Sequence, residues 1–273
     1  MKLSLSVRIA ESPRRKDIAA VPIETVAASA NAAGFSGLSM RASVLHISSS
    51  VSRVAAVRQL LDGFGLRVSM VTGDLPLAIN NSEATAVLRN ITPYLDLATA
   101  LGSNLVRVMM HNETDIDEAR RASDIAAERG IRLSHQMHWG SLFETVDGAL
   151  ETIRRVDRPN FGVTYEPANL LACGEDYGPY TIARLAPHIF NAYFQNIRLD
   201  PESPVIFETR SRGAVGVRFV PLNDPSGIDP SLLLQALKLE GYDGWISIHQ
   251  PLLDHETVEC SIDAAARQFL PLI

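Results

Sequence analysis

Two cysteines, Cys173 and Cys260, are all that a chain of 273 residues carries. They form no metal-ligand spacing and no disulfide framework, so reduced thiols in a cytoplasmic protein are the expectation. Long apolar runs are missing too. None reaches the roughly 18 residues that suggest a membrane span. The opening segment MKLSLSVRIA lacks the apolar stretch and small-residue cleavage site of a secretory signal. Positive charge is in deficit: Lys and Arg number 25 against 31 Asp and Glu, a formal charge of −6. Nucleic-acid-binding surfaces usually show as basic patches with a high pI, so such a partner is not expected. No linker, low-complexity tract or long charge run divides the chain. These absences argue for one domain acting on small molecules, with a homo-oligomer left open.

What is present is alternation. Hydrophobic residues make up 46% of the chain, and a chain of this length can bury a large core without disulfides or structural metal. Short β-rich runs near 3–9, 37–42, 66–72, 104–111, 131–138, 160–166, 189–197 and 244–249 alternate with segments of helical period. The helical segments fall near 22–33, 48–63, 84–101, 115–129, 143–156, 179–187, 229–240 and 256–270. Gly34, Gly65, Gly102 and Gly130 each stand just before a strand, where a helix C-terminus favours a left-handed residue. Eight such units indicate a parallel sheet, and about 250 residues suffice to close it as an α/β (β/α)8 TIM barrel. The whole chain, 1–273, is read as that single domain. The stretch 198–228 is the one irregular insertion, and a loop after the seventh strand belongs at the catalytic face, over the site.

Alternate side chains of a strand share a face, so the tops of barrel strands offer pairs at i and i+2. Strand five ends in Gln136 and His138, strand six in Glu166 followed by Asn169, and strand eight in His249. Strand seven presents Tyr193 and Gln195 with one parity. His138, Glu166 and His249 are the catalytic candidates, and Gln136, Glu166 and His249 the candidate metal set, because imidazole, carboxylate and amide oxygen together suit a divalent ion. His111 and His135 are more simply read as hydrogen-bonded structural residues. Arg41 and Arg107 lie within strands, where a charge is rarely buried alone. They bind an anionic or hydroxyl-rich substrate, or they pair with acids such as Glu166. Arg8, Arg210 and Arg212 are further cationic candidates, the last two equally readable as solvated loop residues.

Four segments carry a resemblance. AGFSGLSMR (33–41), HQMHWGSLFET (135–145), VDRPNFGVTYEPANLLACGED (156–176) and LEGYDGWISIHQP (239–251) resemble the helix-to-strand entry and the fifth, sixth and eighth strands of the xylose isomerase-like sugar phosphate isomerase/epimerase superfamily. The likeness runs over nearly the whole chain. It implies a metal-dependent barrel whose divalent ion is held by Glu, Asp, His and Glu from strands five to eight. Here those positions read Gln136, Glu166, Tyr193 and His249, while His138 and Asn169 match the family pattern.

The resemblance therefore implies carbohydrate-metabolism chemistry on a rebuilt site. The leading reading is an isomerase or epimerase that moves a proton next to a carbonyl on a small polyhydroxylated substrate. It would be assisted by Mn, Co, Mg or Zn, with Arg41, Arg107, Asn169, Tyr193 and Arg212 binding substrate. One alternative is a lyase that dehydrates a keto-cyclitol or a dehydroshikimate-like acid. The other is a non-catalytic barrel, without its metal site, that binds a sugar or supports a partner subunit. A metal between strands five, six and eight favours an enzyme. An empty, apolar or arginine-filled mouth favours the binding protein.

Overall fold

The barrel strands are sheathed by helices and filled inside, so most of their residues are buried on both faces, as parallel strands require. The computed structural model describes residues 1–12, 15–254 and 256–273. The strands are β1 (Lys2–Ser6), β2 (Gly37–Arg41), β3 (Arg67–Thr72), β4 (Leu105–Val108), β5 (Arg132–Gln136), β6 (Phe161–Tyr165), β7 (Ile189–Phe194), β8 (Ile197–Leu199), β9 (Ile206–Thr209), β10 (Gly213–Phe219) and β11 (Trp245–Ile248). Eight of them close a parallel barrel in the order β1-β11-β7-β6-β5-β4-β3-β2. This is a single-domain TIM barrel, as the alternation predicts.

The helices are α1 (Ile23–Ala32), α2 (Val51–Gly63), α3 (Leu75–Ile79), α4 (Ala86–Arg89), α5 (Thr92–Ala100), α6 (Asp115–Ala127), α7 (Val146–Val156), α8 (Pro167–Cys173), α9 (Pro179–Leu185), α10 (Pro230–Leu239) and α11 (Val258–Phe269). Gly34, Gly65, Gly102 and Gly130 all have positive φ, the left-handed geometry expected of them. Among the described residues no helix is long and apolar enough to cross a membrane.

Four expectations need correction. The helix expected over 84–101 is two helices, α4 and α5. Pro93 stands in the first turn of α5, where its missing N–H costs nothing, and it could not sit inside one continuous helix. The first strand stops at Ser6 rather than 9, because a 3-10 turn over Val7–Ala10 follows, with Ser6 Oγ accepting from the Arg8 amide. Two short helices, α3 and α8, stand where only connections were expected. The 198–228 insertion is not irregular. It folds β8, β9 and β10 into an antiparallel sheet of order β8-β10-β9, with Gly213 at φ 72 where β9 turns into β10.

That hairpin is fastened to the rim. The buried Glu144 carboxylate accepts from the amides of Gly140, Arg210 and Ser211 at 2.7–2.9 Å. Arg210 donates to the His111 carbonyl at 2.8 Å.

Candidate active site

A cavity of about 80 Å³ opens among the C-terminal ends of the barrel strands. Parallel strands all end at one rim, so residues at or just past β1, β2, β4, β5, β7 and β11 line it together: Arg8, Arg41, Arg107, Gln136, His138, Gln195 and His249. Trp139 and Phe207 form an aromatic wall, with ring centroids 5.3 Å apart. Phe207 comes from the rim hairpin.

His138 is held by both ring nitrogens. Nδ1 lies 2.7 Å from the Trp139 carbonyl, which only accepts, so Nδ1 carries the proton. Nε2 then accepts from Asn80 Nδ2, also at 2.7 Å. The Asn80 carboxamide oxygen in turn accepts from Arg107. Asn80 caps α3 in the left-handed region at φ 55, which aims its side chain into the cavity. Burial first, then the Arg107 charge, push the His138 pKa down to about 3, so the ring is neutral.

His249 Nδ1 lies 3.0 Å from Ser6 Oγ, and its ring stacks on Tyr193. Burial, with Arg8 and Arg41 behind it, holds this imidazole well below its usual pKa. Glu166 has no exposed surface and sits outside the cavity wall, bonded through Oε2 to Gln136 Nε2 at 3.1 Å. Its Oε1 has no partner among the described residues. Burial raises its pKa to about 8, against the opposing pull of Arg8, the Gln136 and Gln195 amides and Arg107.

The arginines divide. Arg41 lines the cavity but is held by Glu11, with Nε–Oε1 at 2.5 Å and Nη2–Oε2 at 3.2 Å. Its acid partner is Glu11 rather than Glu166. Arg8 donates to Gln195 Oε1 at 2.8 Å and to the His249 carbonyl at 3.2 Å. Neither Arg8 nor Arg107 has a carboxylate within 4 Å among the described residues. Burial lowers both to about 10, with Arg41 a further cause for each. Lys16, exposed at the mouth, is lowered to about 8 by partial desolvation there and then by the charges of Arg8, Arg41 and Arg107.

Of the residues singled out in the sequence, Gln136, His138, His249, Arg41, Arg107 and Asn169 share this cavity. Asn169 also donates to the Met137 carbonyl at 2.8 Å. Tyr193 does not reach it. It lies one layer lower, with its hydroxyl 3.0 Å from Ser39 Oγ, and the strand-seven residue that faces the cavity is Gln195. Arg212 is outside as well, over the end of α8, 3.4 Å from the Ala172 carbonyl. His111 bonds to the carbonyls of Gly140 and Asn81, and His135 stacks on Phe143; both are structural. Asn80 was not anticipated, although an asparagine after the apolar LPLAI turn is a usable C-cap signal. Lys16 carried no signal at all.

The donors do not suit a divalent cation. Among the described residues no three of His, Cys, Asp and Glu gather to hold one. The proposed set offers one amide, one carboxyl drawn back behind it and one imidazole. The strand-seven position adds only an amide, whose oxygen is already occupied by Arg8. Cations border the same space.

With this geometry in view, a family model described as xylose isomerase-like TIM barrel matches residues 27–266. An inosose dehydratase of Geobacillus thermodenitrificans is 25% identical over 136 residues, 49% of this chain and 45% of that protein, so the chain spans about half the length of the curated relative it matches. A probable 3-DHS dehydratase from Bacillus anthracis superposes with TM-score 0.71 at 16% identity, covering 98% of both chains. A D-allulose 3-epimerase from Methylomonas gives 0.68 at 14%, covering 100% of this chain and 98% of that one. A barrel from Mycobacterium smegmatis in complex with magnesium gives 0.68 at 18%, covering 98% and 95%. At these identities the structural likeness establishes the fold. The similar folds include epimerases and dehydratases, and some hold a divalent metal.

Proposed function

The chain belongs to the xylose isomerase-like TIM barrel family, and from that premise we propose that it moves a proton next to a carbonyl on a small polyhydroxylated substrate. This is isomerase or epimerase chemistry, run here by imidazoles. The observation that carries the reading is the pair His138 and His249. Both are neutral, both have Nδ1 engaged, and both face one cavity from strands three steps apart around the ring.

His249 takes the proton from the carbon beside the carbonyl, because its Nε2 has no hydrogen-bond partner among the described residues whereas His138 Nε2 already accepts from Asn80. Charge then develops on the carbonyl oxygen, and the cations and amides that line the cavity supply fixed donors for it. Inversion follows when the opposite face of the carbon is protonated by the other imidazole in its imidazolium form, which takes its proton from solvent once negative charge in the cavity has raised its pKa, while the first imidazolium releases its proton to solvent. Return of a proton to the adjoining carbon, with the hydroxyl proton shifted, exchanges aldose and ketose. Departure of a β-hydroxyl after the same first step gives dehydration, the branch that the likeness to an inosose dehydratase favours. The low pKa of both rings makes them weak bases in the empty site, and negative charge arriving in the cavity raises them.

A second reading has a specific observation behind it. The mouth is lined with arginines, which favours a barrel that binds without turnover. Incubation in D2O with ketoses, aldoses and keto-inositols, followed by proton NMR, separates the two. Solvent deuterium entering beside the carbonyl is expected. His138→Ala and His249→Ala should each slow it about 10²–10⁴-fold, the usual weight of general acid–base catalysis. Ligand binding with no exchange would leave the binding reading.

A further inference from the structure

The positive charge around this cavity is not matched from within. Arg41 is neutralised by Glu11 through two hydrogen bonds. That leaves Arg8, Arg107 and Lys16 as three cations at the cavity, against at most the single charge of Glu166 behind it. Arg107 is buried, Arg8 is half-buried and Lys16 is exposed at the mouth, and a buried charge without a counter-ion is costly unless a partner supplies the opposite charge. Hydrogen-bond donors are also left over: Arg107 Nε and Arg41 Nη1 are buried and meet no acceptor among the described residues.

From these observations we infer that the ligand of this site is a sugar acid, with its carboxylate held by Arg107 and Arg8 and its hydroxylated carbons against Trp139 and Phe207. The inference rests on the proposed site and names its substrate class. A guanidinium is a planar fork that matches a carboxylate with two parallel hydrogen bonds. The cavity is small, about 80 Å³, and a carboxylate puts less bulk into it than a phosphate with its ester arm. The amides of Gln136, Asn169 and Gln195 border the same space and can pair with hydroxyls. The cationic cluster would do for an acid what a divalent ion does for a neutral sugar, fixing one end of the molecule so that a set carbon faces the imidazoles.

Calorimetric titration of the full chain at low ionic strength tests this without any need for turnover. The probes are D-glucuronate and D-galacturonate, each against its own neutral primary amide, with D-glucose 6-phosphate as the phosphate arm. At least one acid is expected to bind about tenfold or more tightly than its amide and than the sugar phosphate, a difference of about 1.4 kcal/mol. Arg8→Gln and Arg107→Gln should each remove most of that preference. A circular-dichroism melt shows whether each variant is folded, and Arg8→Lys, which keeps the charge, should retain part of it. If no acid is preferred over its amide, or if the phosphate binds as well, the assignment falls. A preference for the acid with no deuterium exchange in any substrate would keep this inference and remove the catalytic one.

Discussion

The imidazole of His249 lies flat on the phenol ring of Tyr193, with centroids 4.1 Å apart and 2° between their planes. Tyr193 is thus the platform on which a cavity-lining ring is set. Two roles of Tyr193 separate by mutation. Tyr193→Phe keeps the stack and loses only the contact with Ser39 Oγ, so it should cost about 1 kcal/mol of stability and little activity. Tyr193→Ala opens a cavity beneath His249, with an expected cost of about 3–5 kcal/mol. Chemical denaturation together with the exchange rate checks both. A Tyr193→Phe variant as inactive as His249→Ala would show that the hydroxyl, and not the platform, is what matters.

On the other side of the cavity, Asn80 links Arg107 to the His138 ring. At φ 55, glycine fits the backbone while removing the carboxamide. Asn80→Gly should therefore leave folding nearly intact. His138 Nε2 would lose its donor, and exchange should slow by about tenfold or more. Nitrogen-15 NMR of the imidazole gives a readout that a merely structural role would not move, because loss of the Asn80 donor shifts the Nε2 resonance. An unchanged spectrum would refute the link.

Much of the barrel was legible because eight hydrophobic pulses, closed by glycines in left-handed geometry, admit few other architectures. Site positions at strand ends were legible for the same reason: parity and a common rim bring Gln136, His138 and His249 together. Height along the strand was not legible. Parity puts Tyr193 and Gln195 on one face alike, and only the register of β7 against its neighbours sets Tyr193 below and Gln195 at the cavity. Asn80, Lys16 and Phe207 arrive from connections, whose course depends on packing that no local pattern records. Arg41 pairs with an acid, as a buried strand arginine should, but which acid is set by packing, since Glu11 reaches it from the segment after β1.

The buried Glu166 makes stability depend on pH in a window of its own. Its folded pKa, about 8, lies above the ordinary 4.5. Between these values the folded chain holds a proton that the unfolded chain has released, so stability falls as pH rises. His138, lowered from 6.5 to about 3, and His249, lowered in the same direction, act oppositely, but only below pH 6.5. Lys16 and the arginines act at about pH 8 and above. From pH 6.5 to 8 the slope therefore belongs to Glu166, at most about 1.4 kcal/mol per pH unit, or about 2 kcal/mol across the window. Urea unfolding across it should show the wild type losing stability relative to Glu166→Gln. Parallel curves would mean that Arg8 and Arg107 keep Glu166 ionised throughout.

Metal dependence is the property in which this barrel should differ from its metal-holding relatives. An ion bound to Gln195 Oε1 at the usual distance of about 2.1 Å would stand within about 5 Å of the Arg8 nitrogen that is 2.8 Å from that oxygen. At an effective dielectric constant of 20, a divalent ion there meets roughly 7 kcal/mol of repulsion from that one guanidinium. Two neutral amides and one imidazole are weak compensation, and Glu166 is drawn back and raised toward its neutral form. Protein dialysed against EDTA is therefore expected to exchange deuterium into its substrate at the same rate as protein supplied with Mn, Co, Mg or Zn. Metal analysis should find well under one ion per chain. Arg8→Met takes away the nearest cation and should raise affinity for Zn without restoring a full ligand set. Retention of one ion per chain after dialysis, with activity lost when it is stripped, would put the metal back at the centre of the site and Arg8 elsewhere in the working enzyme.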